Sequence, residues 1–174
     1  MQFEAWALLC YDFSTQMEIN VLIEEDFGEG LEADWLKGVV EKVLLAEGVD
    51  PEIELGLVIT GQEKVQQLNL TYLGRDGPTD VLAFTMAPQE GGGKQSPFVV
   101  PPDGVTHLGE VIISYPQAAI QAGEHGHSVE KEIAILIIHG VLHLLGCDHE
   151  EPGEEREMRA REEEILGTIE EIIK

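Results

Sequence analysis

Cysteines and basic residues are both scarce in this chain of 174 residues. Its two cysteines, Cys10 and Cys147, are too few for the disulfide framework that holds small secreted domains together. No segment can span a membrane, because the longest apolar stretch, residues 133–146, is too short and contains two histidines. The N-terminus lacks the basic start of a signal peptide. We therefore expect a cytoplasmic protein that does not contact a membrane.

The shortage of positive charge limits how the chain can bind nucleic acid. It has 10 lysines and arginines against 34 aspartates and glutamates, a formal net charge of −24. Non-specific affinity for nucleic acid comes mostly from basic side chains that neutralise phosphates, so a broad basic surface is excluded. The acidic block over residues 150–171 is typical of a solvated helix face. A divalent cation would still make one site locally positive.

The length and the alternation of patterns predict one α+β domain over residues 1–174, with a small mixed β-sheet packed with helices. Strands are predicted at residues 18–24, 53–60, 81–84 and 108–114. Helices are predicted at residues 31–47, 62–70, 115–123, from residue 129 onward and at 154–166. Residues 88–104, rich in glycine and proline, are predicted to form a flexible inserted loop.

Local capping signals mark where three of these helices begin. The segment Thr60-Gly61-Gln62-Glu63 has the spacing of a capping box, in which the first and last side chains bond to each other's backbone. Ser114 and Ser128 are predicted to cap the helices that follow them.

Three histidines with the spacing of metal ligands stand out near the C-terminal end. His139 and His143 are one turn apart on a helix, so both rings can reach one ion. Gly146 can take the left-handed conformation that ends a helix, which turns the chain back so that His149 reaches the same ion. Three imidazoles and one open position are typical of a catalytic zinc site, although other divalent transition metals also bind imidazole.

The histidine run is similar to two known patterns. In metzincin proteases it is H-E-x-x-H-x-x-G-x-x-H, and the glutamate activates a zinc-bound water. This chain has Gly140 at the glutamate position, and glycine cannot act as a base. The full string, H-G-V-L-H-L-L-G-C-D-H over residues 139–149, resembles instead the signature of the YbeY family. Residues 69–84 and 108–114 are similar to two further motifs of that family, in the same order.

The resemblance to the YbeY family implies a metal-dependent endoribonuclease that cleaves single strands in ribosomal RNA maturation and ribosome quality control. It also implies a zincin-like metal helix, one Zn²⁺ held by His139, His143 and His149, and ribosomal RNA and the small ribosomal subunit as partners. Because the chain is acidic, a protein partner is a candidate for delivering the substrate. The nucleophile, a metal-bound water or the RNA 2′-hydroxyl, is left open.

Two residues are candidates for catalytic roles. The family has an arginine directly after the tyrosine of its first motif, where it is expected to hold a phosphate at the metal. Here that position is Leu73, and the nearest arginine is Arg75. Stepping two residues along an extended strand keeps the same face, so Arg75 can serve from a shifted position. Asp148, next to His149, is a candidate to orient an imidazole or accept a proton.

Two other functions are compatible with the same residues. One is a zinc metallohydrolase that acts on peptides or small molecules, which needs a glutamate from another segment near the ion. The other is a ribosome-associated metal-binding protein without catalytic activity, in which Leu73 marks the lost arginine. An open coordination position would favour an enzyme, and a fourth protein ligand would favour the binding protein.

Overall fold

A computed structural model of the chain describes residues 17–27, 30–49, 52–86, 104–147 and 152–173. None of the helices in these ranges is long and apolar enough to cross a membrane. In chain order the strands and helices are β1 (Glu18–Ile23), α1 (Ala33–Ala46), β2 (Ile53–Thr60), α2 (Gln62–Leu73), β3 (Val81–Thr85), β4 (Thr106–Ser114), α3 (Tyr115–His125), α4 (Val129–Leu144) and α5 (Pro152–Ile169). Two short 3₁₀ turns are also present: Glu25–Phe27 lies between β1 and α1, and Glu170–Ile172 follows α5.

The four strands form one mixed sheet in the order β1-β2-β4-β3. β1, β2 and β4 are parallel, and β3 pairs antiparallel with β4 at the edge. Helices lie between parallel strands because a parallel pair needs a long crossover. The predicted α+β class with a small mixed sheet is confirmed.

The helix that carries His139 and His143 lies at the centre of the molecule. Most of α4 is buried, and it contacts β3 and β4 of the sheet as well as α1, α3 and α5. One core therefore joins the sheet to four helices, α1, α3, α4 and α5. Its fully buried side chains include Leu57, Ile113, Leu44, Ile137 and Ile165. Such a helix is held rigidly, which suits a site that must fix two ligands.

Most predicted elements are confirmed, with shifts of a few residues at their ends. The strand at 53–60 and the starts of α2, α3 and α4 are placed as predicted, and α2 and α5 each extend three residues further at the C-terminal end. The predicted loop over 88–104 lies, except for Gly104, outside the described residues. Ser114 and Ser128 cap their helices, since each hydroxyl accepts a hydrogen bond from the amide three residues on.

The predicted capping box at the start of α2 is wrong. The residue that precedes the helix is Gly61, in an extended conformation, and no side chain caps the helix. Thr60 is instead the last residue of β2 and is fully buried, so its side chain faces the core rather than the first turn of the helix. The sequence has the spacing of a capping box, but Thr60 belongs to the strand and does not cap the helix.

Candidate metal centre and its cavity

The side chains of His139 and His143 converge on one point beside α4. Their Nε2 atoms lie 3.1 Å apart, and their rings meet nearly edge to face with centroids 4.6 Å apart. Two nitrogens bound to one tetrahedral zinc at about 2.0–2.1 Å would be separated by about 3.3 Å. The two predicted ligands are therefore spaced as ligands of a single ion.

A carboxylate fixes the protonation of one of these rings. Nδ1 of His139 lies 2.6 Å from Oε1 of Glu162, on α5. A carboxylate only accepts hydrogen bonds, so the ring must carry its hydrogen on Nδ1. The lone pair of the neutral ring is then on Nε2, directed at the point shared with His143. This carboxylate–histidine arrangement is the one that orients and strengthens metal-binding imidazoles, and the described donors fit a transition metal.

Glu162 was not among the residues predicted from the sequence. It lies on the face of α5 that packs on the core, between Met158 and Ile165, both of which are buried. Next to it, Arg161 pairs with Glu47 and donates a hydrogen bond to the carbonyl of Ala46, which fastens α5 to the end of α1. A glutamate inside the apolar stripe of a helix was the signal that could have identified it.

The end of α4 has the backbone geometry that the histidine run requires. Gly146 has φ +91°, its amide bonds to the carbonyl of His143, and the amide of Cys147 bonds to the carbonyl of Leu142. This pair of bonds is a Schellman motif, which turns the chain sharply after a helix. The predicted third ligand His149 and the candidate Asp148 lie just beyond it, outside the described residues.

Cys147 is packed against the hydrophobic core. Its side chain is partly buried, and burial, with a smaller contribution from the carboxylate of Glu47, raises the pKa of its thiol.

Gly140, at the position of the catalytic glutamate in metzincins, faces the sheet. A Cβ added to Gly140 would lie 2.5 Å from Cγ1 of Val111, on β4. The helix therefore approaches the sheet so closely that only glycine fits without movement. No side chain at this position can act as a base.

A cavity of about 620 Å³ opens beside the two histidines. Its opposite wall is the segment between α2 and β3. Residues that line it include His139 and His143 on one side and Leu73, Arg75 and Asp80 on the other. Among the described residues that line it, Arg75 is the only lysine or arginine, and no carboxylate of the described residues forms an ion pair with it.

Hydrogen bonds hold that opposite wall in place. The side chain of Asn69, which is buried, donates to the carbonyl of Gly77, and Gln66 donates to Asp76. At the end of the segment, Asp80 accepts from the amide of Val81 and from the side chain of Gln121 on α3. Asp80 therefore stabilises the turn, and both of its carboxylate oxygens already have partners.

Arg75 lines the cavity, but the extended strand that was predicted to place it there is not present. The stretch from Leu73 to Arg75 is not an extended strand: Leu73 ends α2, and Gly74 follows in the left-handed conformation with φ +67°. The turn, rather than a two-residue step along one face, brings both side chains to the cavity wall. The helix was predicted to end at about Leu70, and it continues to Leu73.

Other polar side chains lie outside this cavity. Lys131, in the first turn of α4, does not line the cavity. Glu110 precedes Val111 on β4, and because Val111 faces α4, Glu110 faces the opposite side of the sheet, where it lines a second cavity with His107. His125 and His127 form a separate group with Glu132.

Replacing Glu162 with glutamine should weaken metal binding about 10–100-fold without changing the fold, because the His139 ring loses its anionic partner. A competition titration of the metal-free protein against a coloured chelator measures the affinity. Glu163→Gln, a change on the exposed side of the same helix, is the matched control. Equal affinities of the two variants would show that Glu162 does not support the ligand.

Comparisons with known proteins agree with one another. The family model described as Endoribonuclease YbeY matches residues 18–170. The chain is 49% identical over 159 residues to Endoribonuclease YbeY of Dehalococcoides mccartyi, covering 90% of this chain and 99% of that protein. It is 41% identical over 156 residues to the protein of the same name from Roseiflexus sp., covering 89% and 94%. A solution structure from Thermotoga maritima is similar, with 26% identity, a TM-score of 0.52 and coverage of 85% and 86%.

Proposed function

The chain belongs to the YbeY endoribonuclease family, and on that premise we propose that it is a metal-dependent endoribonuclease that cleaves single-stranded RNA during ribosomal RNA maturation and quality control. One observation carries the proposal. The same cavity is lined by Arg75 and by His139 and His143, whose Nε2 atoms converge. Phosphodiester cleavage needs an ion to activate the nucleophile and a positive charge to stabilise the phosphate, and this cavity has residues for both.

Each residue has a role in this proposal. His139 and His143 bind a divalent ion, taken to be zinc, with the predicted His149 as third ligand, and Glu162 keeps the proton on Nδ1 of His139. A bound ion supplies Lewis acidity and lowers the pKa of a coordinated water towards about 7. Arg75 donates hydrogen bonds to phosphate oxygens and balances the charge that develops on them. Asp148 remains a proposed proton acceptor or orienting partner.

The surroundings of the cavity suit an unpaired strand. Tyr72, next to the cavity-lining Leu73, is 67% exposed, and Phe84 supports its ring from the side with centroids 5.4 Å apart. Unpaired bases stack on exposed aromatic rings, whereas the bases of a duplex are already stacked on one another. This contact would favour single-stranded RNA.

The proposal also accounts for the acidic composition. With a net charge of −24, most of the surface repels RNA, so productive contact is confined to the cavity with its ion and Arg75. We propose that the small ribosomal subunit, or a protein partner bound there, presents the RNA. A cytoplasmic location, where ribosomes are assembled, is part of the same proposal.

Peptide hydrolysis by the metzincin mechanism is disfavoured by the packing of α4. The position of the catalytic glutamate is Gly140, against Val111, and Glu162 contacts the Nδ1 side of His139, away from the side that faces the shared point. Asp80 has both oxygens bonded within the wall. No general base for peptide hydrolysis is therefore evident among these groups.

The substrate preference can be tested with one RNA in two forms. We expect the metal-loaded protein to cleave a single-stranded ribosomal RNA fragment and to leave the same sequence uncut when it is annealed to its complement. End-labelled fragments separated on a denaturing gel measure both rates. Equal cleavage of the two forms would contradict the proposed preference, and cleavage of a model peptide instead would favour the metallohydrolase.

A further inference from the structure

A second group of side chains that could ligate a metal, His125, His127 and Glu132, lies at the opposite end of α4. His125 ends α3, His127 lies in the turn that follows, and Glu132 is in the first turn of α4. One oxygen of Glu132, Oε2, is 3.2 Å from Nδ1 of His125 and 3.0 Å from Nε2 of His127. The three ligand atoms all lie within 4.8 Å of one another.

Glu132 is almost fully buried, which is unusual for a carboxylate. Its side chain is 5% exposed, against 20% for His127 and 58% for His125. A charged carboxylate is rarely buried to this degree unless a partner compensates its charge. Among the described residues, the side-chain partners of Glu132 are the two histidines. The positive charge that compensates the buried carboxylate must therefore be a proton on one of these rings or a cation bound between the rings and the carboxylate.

The hydrogen bonding of His127 determines which of its ring nitrogens carries the hydrogen. Its Nδ1 lies 3.1 Å from the carbonyl oxygen of Ser128, which can only accept, so Nδ1 carries a hydrogen. In the neutral ring Nε2 then presents a lone pair to Oε2 of Glu132, and two acceptors face each other at 3.0 Å. A cation between them resolves this conflict. A protonated His127 would resolve it too, and the experiment below separates the two.

The distances agree with a cation. Ligands of a tetrahedral zinc, bound at about 2.0–2.2 Å, are separated by about 3.3–3.5 Å. The two nitrogen–oxygen separations, 3.0 and 3.2 Å, are slightly shorter than that value, and a small rotation of the exposed His125 ring would open the group enough for an ion. His127 also repeats the arrangement of His139, with Nδ1 hydrogen-bonded to an acceptor and Nε2 directed at the shared point.

We propose that His125, His127 and Glu132 form a second site for a zinc-type divalent metal. Glu132 and His139 are seven residues apart on one helix, about 10 Å at 1.5 Å per residue. Two-metal catalysis requires ions about 3.5–4 Å apart, so this ion does not share the phosphate of the first site. Its role is structural: it ties the end of α3 to the first turn of α4, the helix that presents His139 and His143.

Counting bound zinc in variants of the whole protein tests this site. We expect two equivalents of zinc per chain in the parent, one in His127→Ala, one in His143→Ala and none in the double variant, measured by dialysis and atomic emission. His125→Ala removes an exposed side chain, so this variant should fold normally. It should also bind one equivalent of zinc fewer than the parent, at a zinc concentration that saturates the parent. Zinc should therefore raise the melting temperature of the parent by more than that of His125→Ala.

Each outcome decides the question. If His125→Ala and His127→Ala bind as much zinc as the parent, and gain as much thermal stability from it, the group is a protonated histidine–glutamate ion pair and the proposal is wrong. If His127→Ala fails to fold, His125→Ala gives the answer alone. Because His143→Ala removes only the first site, failure of the second site leaves the proposed nuclease function untouched.

Discussion

RNA cleavage is expected to fall below detection when His143 is replaced by alanine. One of the two converging Nε2 atoms is then removed, and the remaining ligands cannot hold the ion that the proposed chemistry requires. Cleavage of a single-stranded RNA and the bound metal content should both be measured, because the account predicts that cleavage is lost together with one equivalent of metal, the ion held by His139 and His143. The side chain is only partly buried, so circular dichroism should show an unchanged fold.

A matched histidine variant makes this result interpretable. His107→Ala removes a histidine that lines the other cavity, near Glu54, and should cleave RNA at the parent rate. Equal cleavage by His143→Ala and the parent would point to a contaminating nuclease or to a different active site. If His143→Ala keeps the full metal content of the parent but loses cleavage, this residue acts in catalysis rather than in metal binding.

Replacing Arg75 with alanine should lower kcat/KM by about 10²–10³-fold, the usual cost of removing a group that stabilises charge in the transition state. The basis is that Arg75 supplies the only permanent positive charge among the described residues that line the cavity. Single-turnover cleavage measures the effect, and metal content should not change. Arg75→Lys should recover part of the rate, because lysine keeps the charge but loses the two-point hydrogen bonding.

Two further variants test whether the positive charge of Arg75 must lie at the cavity. Arg159→Ala removes the same charge from the exposed face of α5, where Arg159 pairs with Glu155, and should leave the rate unchanged. Leu73→Arg, combined with Arg75→Ala, should restore cleavage, because both positions line the cavity. If Arg75→Ala cleaves as fast as Arg159→Ala, the proposed role of Arg75 is wrong.

The parts of the site that depend on local sequence could be predicted. The spacing of His139 and His143, the capping serine of α4 and the helix-ending Gly146 all depend on residues within a few positions of one another. Their physical causes lie within one helix and its ends. The same holds for β2, whose alternating burial follows the alternation of its sequence.

The parts that depend on packing between distant segments could not be predicted. Glu162 reaches His139 from 23 residues away, and only the docking of α5 on α4 brings them together. The sequence excludes a base at Gly140, but the reason for the glycine, close approach to Val111, is a tertiary contact. Arg75 was assigned to the site because an extended strand was predicted there. The end of α2 and the turn at Gly74 position it instead.

The central claim, that the chain is a metal-dependent ribonuclease, is tested most directly by removing and restoring its metal. The purified protein should be stripped with a chelator, dialysed and assayed on a single-stranded ribosomal RNA fragment before and after zinc is added back. We predict that cleavage disappears on stripping and returns with zinc in the parent but not in His143→Ala. Cleavage that persists in the stripped protein, or a zinc-loaded protein that never cleaves, would contradict the account, and the second result would favour a metal-binding protein without catalytic activity.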